Sequence, residues 1–140
     1  MKNYVALLLA ALVGCSTPPS DSSGRKLTLG DAGASPLDQR GVVAEVLRHR
    51  LKDFESARIE YPLQPRAAVF AKTAFSNGGA GWEICPLVNA KNSLGAYTGY
   101  RPIFIFWNSG QVLDFKADET SEFWCRDKND ARIEVGPRLK

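Results

Sequence analysis

Histidine occurs once in the 140 residues, at His49, and methionine once, at the start. A single imidazole leaves no histidine cluster for a metal ion, and neither a metal nor any other cofactor is expected. An excess of one charge is also missing. The chain has 18 Lys+Arg against 15 Asp+Glu, a formal net charge of +3, with no dense Lys/Arg stripe. That balance speaks against nucleic acid as a partner. Long apolar runs are absent too. The longest, Tyr4 to Val13, has ten residues, too short to cross a hydrocarbon core of about 30 Å as a mature helix.

Catalytic motifs are equally scarce. There is no Gly-rich phosphate loop, no Gly-x-Ser-x-Gly elbow, and no calcium loop of closely spaced oxygen ligands around a glycine. Ser93 and Ser109 have no histidine partner in view. His49 stands between Arg48 and Arg50 on the polar side of an amphipathic stretch, which does not orient it against a thiol. Asp118, Glu119 and Glu122 read as the acidic start of an exposed helix, where carboxylates favour the dipole. A non-enzymatic role is expected. An enzyme acting on peptidoglycan would need a cleft that gathers Glu83, Asp114 or Glu119.

What is present begins with an address. Met1-Lys2-Asn3 is a short positive start, the apolar run follows, and the run ends in Leu12-Val13-Gly14-Cys15. This is the layout of a secretory leader, and its last four residues resemble the lipobox of bacterial lipoproteins. The resemblance implies cleavage before Cys15, diacylation of the Cys15 thiol and fatty acylation of the new amino group. Each buried methylene contributes about 0.8 kcal/mol, so several chains anchor stably where one does not. Ser16 rather than Asp after the cysteine resembles the pattern sent on to the outer membrane in enteric-type bacteria. The mature chain is close to neutral, so the acyl chains rather than anionic lipid would hold it to the membrane.

Residues 15–35 are rich in Ser, Pro, Gly and Asp. They offer little apolar surface to offset ordering entropy and read as a lipid-anchored flexible tether with a reach of roughly 25 Å. A single domain is expected over 36–140. Ser35 is a good N-cap and Pro36 suits the first helical position. Val43, Val46, Leu47, Leu51 and Phe54 then recur every three or four residues, which predicts an amphipathic helix over 36–53. Stretches 66–75, 81–89, 101–107 and 111–116 have strand composition, with turn residues between them. Pro86 cannot donate to a ladder and places its strand at an edge or a bulge. Ile103 to Trp107 is the most apolar stretch of the mature chain and belongs at the sheet centre. A short second helix over 118–126 and a last strand over 133–135 complete the reading. The links are too short for parallel crossovers. The expected fold is therefore α+β, one amphipathic helix packed on an antiparallel sheet of four or five strands. The alternative is a small, partly closed β-barrel with a helix.

With Cys15 given to lipid, Cys85 and Cys125 remain as an even pair in an exported domain, the setting for a disulfide. Closing about 40 residues contributes roughly 3–4 kcal/mol on the loop-entropy model. Two separate buried thiols are the other reading. Trp82, Trp107 and Trp124 are read as core, the alternative being platforms for sugar rings.

The most distinctive segment runs Gly81-Trp82-Glu83-Ile84-Cys85-Pro86-Leu87-Val88-Asn89-Ala90-Lys91-Asn92-Ser93-Leu94-Gly95-Ala96-Tyr97-Thr98-Gly99-Tyr100-Arg101-Pro102. Together with Leu51-Lys52-Asp53-Phe54-Glu55-Ser56-Ala57, it resembles a pattern found in small exported bacterial and phage-associated proteins of unknown function. These carry Leu-Lys-Asp-Pro-x-Ser-Ala followed by Cys-Gly-x-Val-Asn-Ala-Lys-Asn-Ser-x-Gly-Gly-Tyr-x-Gly. The match covers about half the mature chain. It departs at Phe54, where the pattern has proline, and at Pro86 and Ala96, where it has glycine. The resemblance implies a shared fold unit and no particular activity. Lys91, Asn92, Tyr97, Tyr100 and Arg101 form the candidate binding surface, since tyrosine offers a rigid amphipathic face and the others directed donors. The competing reading has Asn89, Asn92 and Ser93 bonding the loop's own backbone, with Gly95 and Gly99 at positive φ.

These features lead to an expected role. The chain reads as a membrane-anchored envelope lipoprotein, in the outer membrane and facing the periplasm, that binds or assembles another envelope protein. The alternative is a small inhibitor or immunity-type lipoprotein acting on a cell-wall hydrolase or a toxin.

Overall fold

A computed structural model describes residues 18–21, 23–74 and 77–126. The stretch read as a leader, Cys15, the first residues of the stretch read as a tether and the strand expected over 133–135 lie outside the described residues. Within them the fold is α+β with antiparallel pairing throughout, and the strands form two sheets rather than one. No closed barrel is formed among the described residues.

Helix α1 spans Gln39–Arg48 and is shorter than the expected 36–53. Asp38, not Ser35, caps it: an Asp38 carboxylate oxygen accepts from the Arg40 N–H at 2.9 Å. Gly41 makes room for that cap, since a Cβ there would sit 2.8 Å from Asp38 Oδ2. At the other end the Leu51 N–H returns to the Leu47 carbonyl at 2.8 Å. The chain then turns through Asp53, whose side chain accepts from the Ser56 N–H. Asp and Ser side chains bond nearby backbone and favour turns over helix. Leu51 and Phe54 keep their place on the apolar stripe by packing on the core from this turn.

The strands are β1 (Arg58–Glu60), β2 (Arg66–Phe70), β3 (Gly79–Ile84), β4 (Leu87–Asn89), β5 (Arg101–Pro102), β6 (Phe104–Asn108) and β7 (Gln111–Lys116). One sheet has the order β2-β3-β6-β7 and the other β1-β4-β5. β1 was not expected from the sequence. The stretches read as single strands over 81–89 and 101–107 are each interrupted, at Cys85-Pro86 and at Ile103. They nevertheless run as one bent ribbon. Ile84 faces Ile105 and Leu87 faces Pro102 in the same register, and the Ile103 N–H donates to the Pro86 carbonyl at 3.0 Å across the break. Pro86 is buried at this crossing, not at an edge or a bulge. Lacking an N–H, it ends β3, and beyond it the ribbon takes β1 as its outer partner in place of β2. The bulge of the sheet lies elsewhere, between Phe106 and Trp107 on the β6–β7 pair. That pair turns at Ser109-Gly110, both at positive φ (47° and 88°), as a two-residue hairpin with right-handed strand twist requires.

β6 lies between β3 and β7, which puts Ile103 to Trp107 in the centre as expected. Its side chains alternate between two cores. Ile103 and Ile105 join Val43, Val46 and Leu47 of α1 with Ile84 and Val88. Phe104 and Phe106 join Ala68, Cys85 and Cys125, with Phe70 and Trp124 packed alongside. The second helix, α2, is only Ser121–Trp124, shorter than the expected 118–126. Asp118 is not its N-cap; the Asp118 carboxylate is bonded to Thr120 at its backbone N–H (2.9 Å) and hydroxyl (2.5 Å). Cys85 and Cys125 are joined, with Cα atoms 5.7 Å apart at a sequence separation of 40. The Ser121 hydroxyl lies 2.7 Å from the Pro102 carbonyl, its acceptor in β5. Bond and hydroxyl together hold a helix of one turn against the sheet.

Residues 29–32 fall in the stretch read as tether. There Leu29–Ala32 forms a 3-10 turn with Ala32 fully buried. The Trp82 indole N–H donates to the Gly33 carbonyl at 3.3 Å, and the Asn108 side-chain amide donates to the Asp31 carbonyl at 3.1 Å. Gly33, at φ 72°, lies so close to the hairpin that a Cβ would stand 2.8 Å from Ser109 Oγ.

Candidate recognition site

The loop joining β4 to β5 carries Lys91, Asn92, Tyr97 and Tyr100 of the candidate surface, and Arg101 opens β5. Its shape is set by two asparagines. Asn92 Oδ1 accepts from the backbone N–H groups of Leu94 (2.9 Å) and Ala96 (3.1 Å). Asn89, buried at the foot of the loop, accepts from the Gly99 N–H at 3.0 Å. Gly95 and Gly99 sit at φ 84° and 88°, conformations open to glycine at no steric cost. Asn92 thus shapes the loop, and its side-chain oxygen is committed to backbone.

Three of the others, Lys91, Tyr97 and Tyr100, belong to a clasp between the loop and the segment after α1. Tyr97 donates its hydroxyl to the Ser56 carbonyl at 3.0 Å. The Arg58 guanidinium lies 4.6 Å and the Lys91 ammonium 5.5 Å from the centre of the Tyr97 ring. Cations so placed are attracted by the ring's negative face. Lys91 also meets Asp53 at 3.7 Å. The Ser56 hydrogen bond, then Lys91, hold the Asp53 carboxyl below its ordinary range. Glu60 accepts from the Tyr100 hydroxyl, which pushes the Tyr100 pKa upward. Arg101 is exposed at the start of β5, opposite Val88. The structure brings Lys91 and Tyr97 into contact and places Arg101 and Tyr100 at the foot of the same loop.

Sequence reasoning missed two members of this surface. Leu94 stands at the apex, 91% exposed, held out by the Asn92 bonds. Its only signal was position: an aliphatic residue between Asn92 and Gly95, where a turn leaves nothing to cover it. Arg58 was missed because β1 was missed.

The acids that an enzyme reading would need are not gathered. Glu83, opposite Phe106, and Asp114, on the other side of Phe106, share one row across the sheet. Glu83 is bound by Arg66 and Asp114 by Lys116, while Glu119 is exposed in the turn before α2. Among the described residues no cluster of three or more His, Cys, Asp or Glu side chains could hold a metal ion. No helix among them is long and apolar enough to cross a membrane. Trp107 packs on the aliphatic core and Trp124 against Phe70 and Phe104, while Trp82 is half-buried with its indole N–H on the Gly33 carbonyl.

Comparison with protein-family models, with curated proteins and with solved structures finds no match to this chain.

Proposed function

We propose that this chain is a lipid-anchored envelope protein, held to the outer membrane through Cys15, whose domain binds another protein of the envelope through the loop between β4 and β5. The observation that carries the reading is the exposed Leu94 on a braced apex. Asn92 and Asn89 fix the backbone beneath it, and the clasp of Tyr97, Lys91 and Arg58 fixes its sides. A pre-ordered loop loses little conformational freedom on binding, and an apolar anchor flanked by aromatic and cationic groups is what a protein pocket with an acidic rim takes. Leu12-Val13-Gly14-Cys15 supports the anchor. A single projecting leucine suits insertion into a cleft better than docking on a flat patch. That favours, as the second reading, an inhibitor or immunity-type lipoprotein that closes the cleft of a cell-wall hydrolase or a toxin.

The test is photocrosslinking in intact cells from position 94, with exposed Leu37 as the matched apolar control. The expected outcome is one envelope protein captured from position 94 and not from position 37, with capture reduced by Asn92→Ala. Equal capture from both positions, or from neither, overturns the reading. Capture of a hydrolase or toxin selects the inhibitor reading. The anchor is tested separately: labelled palmitate enters the wild-type protein and not Cys15→Ser.

A further inference from the structure

A second site of unused chemistry lies on the edge strand β7. Asp114 faces the aromatic core beside Phe106, with its side chain only 8% exposed. Asp114 Oδ1 accepts from Lys116 Nζ at 2.6 Å and from the Phe115 N–H at 2.8 Å. Asp114 Oδ2 is covered and has no hydrogen-bond partner among the described residues. A buried carboxylate oxygen without a donor is costly, and such groups mark places where something else supplies the bond. An inward charge on an edge strand deters pairing with other chains. Lys116 on the same strand already supplies one, so that need alone does not account for an acid with an unbonded oxygen.

Asp114 and Lys116 line a groove of about 580 Å³ together with Asn77, Asp118, Phe123 and Trp124, a volume in the range of small-molecule sites. The Asn77 amide donates to the Leu113 carbonyl at 3.1 Å, which leaves its oxygen as an acceptor. Phe123 is 64% exposed, with its ring edge-on to Trp124 (centroids 5.7 Å apart, planes at 87°). An anion would meet two carboxylates here. A cation would meet the Lys116 ammonium already seated on Asp114. A neutral hydroxyl is both donor and acceptor, so it can donate to Asp114 Oδ2 while accepting from Lys116. Adjacent hydroxyls would reach Asn77 and Asp118. The exposed phenylalanine offers a flat apolar wall to a ring whose edges are polar and whose face is C–H.

We propose that this groove binds a neutral pyranose sugar, with its C–H face on Phe123 and its hydroxyls bridging Asp114 and Lys116. Asp114 Oδ2 is covered, so binding requires the side chains over it to move aside. The site is separate from the β4–β5 loop and does not depend on the role proposed for that loop.

The test uses the full chain in a detergent without a sugar headgroup. Methyl glucoside, methyl N-acetylglucosaminide and the soluble N-acetylglucosamine tetramer are titrated while backbone and indole N–H resonances are followed. The expected result is a saturable shift with at least one sugar, confined to residues 77, 114–118 and 123–124. Asp114→Asn keeps the shape of the side chain and weakens binding about tenfold, the loss of one charge-assisted hydrogen bond. Phe123→Ala, at an exposed position, weakens it several-fold and leaves the melting temperature unchanged. The proposal is overturned by no saturable shift with any of the three sugars. Shifts outside the groove, equal binding by Asp114→Asn, or equal occupation by methylammonium would overturn it as well.

Discussion

The two faces of the four-stranded sheet are built by different means. Under α1 the core is aliphatic, from Val43, Val46 and Leu47 to Ile84 and Ile105, and carries no charge. The opposite face is aromatic and cross-linked, and it buries Glu83 and Asp114. A ten-residue helix covers the first face, whereas α2 has four residues. One helical turn cannot hold itself in place by packing, so the disulfide and the Ser121–Pro102 contact take over that task. The lesson is that a face closed by a long amphipathic helix needs only shape. A face closed by a staple leaves room at its margins for grooves and for charged groups that packing alone would exclude.

Removing the staple should have the largest effect. Cys85→Ser with Cys125→Ser is expected to cost about 4 kcal/mol on the loop-entropy model, measured by denaturant unfolding. Amide exchange should rise in α2 and around Phe104 before it rises in α1. Simultaneous loss of protection on both faces would break the comparison. Leu47→Ala, in the fully buried aliphatic core, is expected to cost about 3 kcal/mol. It should do so in a single cooperative transition, since that face has no second means of closure. Arg66→Ala is expected to cost about 2 kcal/mol, because it strips Glu83, 6% exposed, of its bonded guanidinium. Glu83→Gln made in the same background should recover part of that loss, by relieving an unpaired buried charge. The smallest effect lies outside both faces. Arg25, then Thr28, hold the Asp31 carboxyl at about 2, below the roughly 3.9 of an unfolded chain. A lowered pKa contributes stability that is complete above about pH 4 and is lost as the pH falls towards 2. Amide resonances of Asp31 and Ala32 should therefore shift over that window while those of Leu47 stay in place.

Much of the aliphatic face was legible in the residues. A stripe spaced by three and four names a helix and its buried side, and an unbroken apolar run such as Ile103 to Trp107 names a central strand. Cys85 and Cys125 pointed to each other by elimination, once Cys15 is read as a lipid site and the domain as exported, and the structure joins them. The ends of elements were less legible. Asp38 rather than Ser35 is the cap, its carboxylate accepting from the Arg40 N–H. The helix stops at Arg48, and Asp53 and Ser56 shape the turn beyond it by bonding each other's backbone.

The β4–β5 loop divides in the same way. That Asn92 would bond its own loop, and that Gly95 and Gly99 would take positive φ, follows from side-chain length and the absence of a Cβ. That Tyr97 would lie between Arg58 and Lys91, with its hydroxyl on Ser56, depends on a three-residue strand invisible to composition. The sequence by itself determined the α+β class, the central strand, the cysteine partners and the turn chemistry of the loop. These depend on neighbours within a few residues or on which residue types remain to be paired. Only the tertiary structure decided where Pro86 splits the ribbon into two sheets, which segment clasps the loop, and that Asp114 and Lys116 open onto a groove beside Phe123. Those depend on register and on contacts between residues far apart in the chain, which no local pattern records.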